Sequence, residues 1–215
     1  MQNEEQDRIE PFIDLALRYG TGEVQQVARI AFSLDARLGR MLARSSEPLL
    51  VQMRYAWWRD QLSVSPKERP RGDPVLDAIG QHWRGEEAAL VALIDGWEAR
   101  IGGVESAELE AVLDGYARTF AAIAALCDAS RQQEAAQNGR WFALGTLVSG
   151  PGGETFLKDI LARATDRGSR PRLRGKLRPL GILGGLAERA IARRTGPLFG
   201  DRLSALAMMR LGLTG

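Results

Sequence analysis

The sequence predicts an all-α protein, a single-domain helical bundle over residues 1–215, and three observations lead there. Apolar residues recur at three-and-four spacing through nearly the whole chain. No stretch alternates apolar and polar residues in the way of a half-buried strand. Helix starts are marked, since Asp73-Pro74 sets a capping side chain directly before a first-turn proline and Ser46-Glu47-Pro48 offers a serine cap before another. With no internal repeat or low-complexity tract, a solenoid is not expected.

Phe12, Leu15 and Tyr19 mark a first short helix, stopped by Gly20 and Gly22. Residues 23–42 read as a second, with Val24, Val27, Ile30, Ala31, Leu34 and Leu38 on one face. In the third, after the Ser46 cap, Leu50, Met53, Trp57 and, one step round, Leu49 form an apolar face, while Arg54, Arg59, Asp60 and Gln61 fall mostly elsewhere. Adjacent helical residues point about 100° apart, so Trp57 and Trp58 cannot share one seam. One is expected in the core and the other against a flanking helix, a cavity or a partner. Residues 63–72 are polar and proline-containing and read as a flexible loop, after which Leu76, Ile79 and Trp83 mark a fourth helix. Further helices are expected over 86–101, 106–130 and 132–147, the long one with Leu109, Leu113, Tyr116, Phe120, Ile123 and Leu126 in line. Gly150-Pro151-Gly152-Gly153 is the sharpest break, taken as a loop within the domain, and a short helix over 154–164 follows. Prolines at both ends and a central glycine make residues 170–179 an extended connection. Helices over 180–194 and 203–211 close the chain, the former ending in Arg193-Arg194, which suits the negative end of its dipole.

Composition removes several classes of function. One cysteine, Cys127, and one histidine, His82, permit neither an internal disulfide nor a Cys/His zinc site. His82 has no serine or cysteine at a spacing that nominates a nucleophile, Cys127 lies among Ala124, Ala125 and Leu126 as a small core residue, and neither glycine cluster has the order of a phosphate loop. The N-terminus is acidic and unlike a signal peptide, and no apolar run approaches the roughly 20 residues needed to span a bilayer, so a cytoplasmic protein is expected, peripheral at most at the inner face of the membrane. The net charge of +2 hides an asymmetry: Arg167, Arg170, Arg172, Arg174, Lys176 and Arg178 follow one another with no acid between, within a basic segment spanning 167–194.

Three stretches, Phe32-Ser33-Leu34-Asp35-Ala36-Arg37-Leu38-Gly39-Arg40, Ser46-Glu47-Pro48 and Met53-Arg54-Tyr55-Ala56-Trp57-Trp58-Arg59-Asp60-Gln61-Leu62, resemble the squalene/phytoene synthase family. The likeness is greatest to its non-catalytic branch, which includes the mitochondrial complex I assembly factor and alphaproteobacterial relatives. It is specific over residues 27–80 and general beyond. The resemblance implies an isoprenoid (squalene/phytoene) synthase fold. Catalytic members hold magnesium on two D-x-x-x-D elements, because carboxylates four apart share a helix face and can neutralise a diphosphate leaving group through the metal. Here the first element aligns at Asp35, but Gly39 stands four residues on, with Arg37 and Arg40 beside it. For the second, the only acids after Asp114 in the two long helices are Asp128 and Glu134, six apart.

With both elements degenerate, the expectation is a pseudoenzyme, a non-catalytic binding or assembly factor with a prenyl lipid or a respiratory-complex protein as client. No catalytic residue, metal ligand or cofactor is assigned. The cavity or motif-remnant candidates are Asp35, Arg37, Arg40, Arg54, Trp57, Trp58 and Arg59. Arg170, Arg172, Arg174, Lys176, Arg178, Arg193 and Arg194 are candidates for contact with an anionic membrane surface. The alternative is an active head-to-head prenyltransferase of terpenoid biosynthesis with a remodelled metal site, the one reading that brings in magnesium. A basic nucleic-acid-binding module is a third class, disfavoured because no stacking aromatics interleave the arginines, so no nucleic-acid partner is expected.

Overall fold

A computed structural model of the chain describes residues 8–103, 108–150, 162, 169–193, 198 and 204–214. Along these the chain runs through α1 (Pro11–Leu17), α2 (Gly22–Arg44), α3 (Pro48–Ser63), α4 (Pro74–His82), α5 (Glu87–Glu98), α6 (Leu109–Cys127), α7 (Gln132–Ser149), α8 (Arg178–Arg193) and α9 (Ser204–Thr214). Short 3-10 turns at Ala129–Arg131 and Gly175–Leu177 precede α7 and α8. The described residues contain no strand, and the protein is all-α.

The bundle is organised around α2, whose contrast between faces is strong. Val24, Val27, Ile30, Ala31, Leu34 and Leu38 are all buried, as their spacing predicts, and the helix touches α1, α3, α4, α5 and α6. The helices α5, α6, α7 and α8 pack in succession beside it. Glycines set how closely they approach. A Cβ at Gly96 of α5 would stand 3.0 Å from the Ala111 carbonyl oxygen of α6, one at Gly115 would stand 2.7 Å from that of Ala92, and one at Gly139 of α7 would collide with the Tyr116 backbone. Only a residue without a side chain permits this backbone-to-backbone packing. Phe32, Phe120 and Phe142 fill the space between α2, α6 and α7 with ring centroids 5.7–6.1 Å apart.

Two helices bury a face other than the one their sequences suggest. In α1 the core takes Ile13, Ala16 and Leu17, and Leu15 is exposed. In α3 it takes Val51, Tyr55, Trp58 and Leu62, leaving Leu49, Leu50, Met53 and Trp57 outside. Both helices are apolar on more than one side, so burial is decided by what the neighbours can satisfy. Tyr55 turns inward to donate a hydrogen bond to the Leu38 carbonyl at 2.9 Å, and Trp58 packs beneath Arg37. Nor is Ser46 the cap of α3: Glu47 holds that position, and Ser45 Oγ bonds the Glu47 backbone on both sides, accepting from its N–H and donating to its carbonyl.

The start of α4 does follow the sequence. Asp73 Oδ1 accepts from the backbone N–H groups of Val75 and Leu76, each at 3.0 Å, ahead of Pro74. Trp83 is buried and donates to the Val27 carbonyl at 3.1 Å. The segment before it is tied down at Arg69, in contrast to the flexible loop expected there. Its buried guanidinium donates to the Val64 and Leu62 carbonyls and pairs with Glu87 at 3.2 Å. The helix expected over 154–164 lies outside the described residues, apart from helical Ala162.

Candidate functional site

Asp35 lies midway along α2, and α5 and α6 bring Trp97 and Tyr116 against it. The Trp97 indole N–H and the Tyr116 hydroxyl both donate to Asp35 Oδ1, each at 2.8 Å. Arg100, just beyond α5, lays its guanidinium over the Trp97 ring, 4.3 Å from the centroid. Loss of water raises the Asp35 carboxyl above its ordinary range, while the hydrogen bonds from Trp97 and Tyr116 and the charges of Arg100 and Arg40 act in the opposite direction. Burial, with the charge of Asp35 adding to it, also pushes the Tyr116 hydroxyl well up, so it stays a donor.

These groups form the polar end of an open cleft of about 460 Å³. Its apolar wall comes from Phe12, Ile13, Phe32, Ala36, Phe142 and Leu198, and its polar lining from Asp35, Arg40, Arg100, Thr146 and Ser149, with Glu10 also present. The Nε and Nη2 atoms of Arg100 are buried and have no hydrogen-bond acceptor among the described residues. A volume of this size suits a small organic ligand, and Arg40 and Arg100 in its lining offer cations to an anionic group.

The residues do not fit a magnesium site. Asp35 Oδ1 already takes two hydrogen bonds, and a Cβ at Gly39, four residues further along the helix, would stand 2.8 Å from the Trp97 ring. Asp114 pairs with Arg118 and Arg140, Asp128 accepts from Ser130, and Glu134 pairs with Arg131. Among the described residues, no group of three or more His, Cys, Asp or Glu side chains is placed to hold a metal ion.

The other candidates divide between structure and surface. Arg37 is buried, pairs with Asp73 Oδ2 at 2.5 Å and lies 5.3 Å from the Trp58 ring centroid, tying α2 to the cap of α4 and to α3. Arg59 clasps α3 to α5 through Asp95, at 3.2 Å, and Glu98. Trp58 is 1% exposed and Trp57 41%, the two rings meeting edge to face at 5.3 Å. Arg40 and Arg54 share a second pocket, of about 320 Å³, with Arg37, Met41 and Arg44. Asp35 and Arg40 are thus brought together in the cleft, whereas Trp58 and Arg59 are not part of it.

The basic segment is less uniform than its sequence suggests. Arg170 is a correction to the expected anionic surface. It is nearly buried, paired with Glu188 at 3.1 Å and donating to Asn138 Oδ1 at 2.9 Å, so it anchors the irregular segment of residues 169–174 to α7 and α8. Arg172 and Arg174 are exposed, while Lys176, also exposed, faces Glu23 at 3.8 Å. Arg178 begins α8 half-buried, Arg193 is exposed at its end, and Arg167 and Arg194 lie outside the described residues.

Sequence reasoning missed Trp97 and Arg100 altogether and placed Tyr116 only in the core. Trp97 and Tyr116 are 62 and 81 residues from Asp35, and no local spacing signals such a pairing. The remaining reactive groups have structural explanations: His82 shares a hydrogen bond with Gln26 at 2.9 Å, and burial, followed by Glu23, pushes the Cys127 thiol up to about 11. No helix among the described residues is long and apolar enough to cross a membrane. No family model matches the chain, and no curated protein or solved structure is recognisably similar to it.

Proposed function

We propose that the chain is a non-catalytic protein of the isoprenoid (squalene/phytoene) synthase type, which holds an apolar ligand with an anionic head, a prenyl lipid, in the cleft beside Asp35. The observation that most supports this is Arg100, a cation with two buried donor atoms that have no acceptor among the described residues, beside an aromatic and aliphatic cleft. An anionic head accepting from Arg100 would relieve that deficit, since a buried donor without a partner costs about 1–3 kcal/mol. The tail would lie along Phe32, Phe142 and Leu198. Against the catalytic alternative stand the hydrogen bonds at Asp35 and the Trp97 ring behind Gly39, which leave the diphosphate without a metal to neutralise it as it departs. Service as an assembly factor for a respiratory-complex client belongs to the same proposal and draws its support from the motif resemblance.

Titration with farnesyl diphosphate, followed by calorimetry, tests the reading. Binding is expected with and without magnesium, weakened by Arg100→Ala, and with no pyrophosphate released. Magnesium-dependent release abolished by Asp35→Ala would establish the prenyltransferase alternative instead.

A further inference from the structure

The outer face of α3 carries a row of exposed apolar side chains. Leu49 is 66% exposed, Met53 62%, Leu50 43% and Trp57 41%, and their spacing of four and three to four places them in one line along the helix. A stripe of this kind on a folded protein marks a surface for something else. Its chemistry is set by the flank. On one edge of the stripe stands exposed Arg54, which shares its pocket with Arg44, Arg40, Arg37 and Met41, and among the described residues no acid lines that pocket. Arg37 is already paired with Asp73, so the cations that face outward are Arg44 at the end of α2 and Arg54 on α3, both exposed. Glu47 before the helix and Asp60 in its last turns bound the apolar patch at either end.

We infer that this face docks on an anionic phospholipid bilayer, with Leu49, Leu50, Met53 and Trp57 entering the interfacial layer and Arg44 and Arg54 meeting the lipid phosphates. The arrangement is that of an interfacial helix: apolar side chains on one side, an indole at the headgroup level, and cations along the edge. A protein groove would receive the same apolar residues; lipid is favoured because exposed Arg54 stands beside the stripe with Arg44 in the same pocket, where phosphates would meet them, while Glu47 and Asp60 stand only at its ends. The inference is independent of the cleft at Asp35. It also moves membrane contact away from residues 170–178, where Arg170 is internal and Lys176 already faces Glu23.

Vesicle co-sedimentation of the full chain tests it. Vesicles containing phosphatidylglycerol should bring the protein down and purely phosphatidylcholine vesicles should not, with binding falling as salt rises. Met53→Glu should lower the apparent partition coefficient by about tenfold or more, since it exchanges an inserting apolar group for a like charge of the lipid. The pair Arg44→Ala and Arg54→Ala should lower it on the order of tenfold and flatten the salt dependence. Lipids brominated on the acyl chain should quench part of the tryptophan emission, and Trp57→Phe should remove that quenching while leaving the melting temperature near that of the parent. No binding to anionic vesicles overturns the inference. So does binding lost in the triple variant Arg172→Ala, Arg174→Ala, Lys176→Ala but kept in Met53→Glu, which assigns the contact to the basic segment. A concentration-dependent dimer that Met53→Glu abolishes, without vesicle binding, overturns it in favour of self-association.

Discussion

α2 and α3 lie side by side and use their apolar residues in opposite ways. In α2 the apolar positions Val24, Val27, Ile30, Ala31, Leu34 and Leu38 fall on one face and are buried, so the polar residues Asp35, Arg37 and Arg40 are held at fixed places by a helix that cannot rotate. In α3 apolar residues lie on both sides, and the core takes only half: Tyr55 and Trp58 go in, Met53 and Trp57 stay out. A strongly one-sided pattern determines orientation by itself. A two-sided one leaves orientation to the partners, and its unburied half becomes a surface available for recognition.

The largest expected effect tests that division directly. Trp58→Ala should destabilise by about 3–5 kcal/mol, as for a large aromatic removed from a core, and Trp57→Ala by about 1 kcal/mol or less. Equal losses in denaturant melts of the two variants would mean that α3 has no outer half. Arg37→Ala on α2 should cost about 2–3 kcal/mol, because it removes the partner of Asp73 and the cation above Trp58, whereas Arg54→Ala on α3 should stay within about 0.5 kcal/mol of the parent. Gly39→Asp, which restores the spacing of the metal element, should destabilise by about 1–3 kcal/mol through its clash with Trp97, and added magnesium should not raise its melting temperature.

The smallest effect is a pH dependence. The folded-state pKa of Asp35 is raised from 3.8, so its contribution is fully present below that value and is lost as pH rises through the folded one. The stability of the parent minus that of Asp35→Asn should therefore fall with rising pH over that window and be level above it. A difference that rises with pH would mean that the hydrogen bonds from Trp97 and Tyr116 outweigh the loss of water at this carboxyl.

The all-α class, the central face of α2 and the Asp73-Pro74 cap were legible because each is written within one helix or one turn. The buried side of α3 was not: Leu50, Met53 and Trp57 repeat as well as Val51, Tyr55 and Trp58 do, and only the Leu38 carbonyl and the Arg37 guanidinium, supplied by another helix, break the tie. Charge runs are ambiguous for the same reason. Arg170 reads like its neighbours, and its burial depends on Asn138 and Glu188, which are 32 and 18 residues away. Of the candidate site, Asp35 and Arg40 were found through the motif resemblance around Asp35, while Trp97, Tyr116 and Arg100 are joined to them by the tertiary fold alone.

The glycines at 96, 115 and 139 bring one further consequence. Where these glycines stand, α5, α6 and α7 meet backbone against backbone with no side chain at the crossing that could yield, and the wall bearing Trp97, Tyr116 and Phe142 is correspondingly stiff. A stiff floor makes the cleft a ruler. For the prenyl ligand proposed above, each added five-carbon unit should strengthen binding only until the depth of the cleft is filled, after which affinity should level off at a length set by how closely three helices can approach.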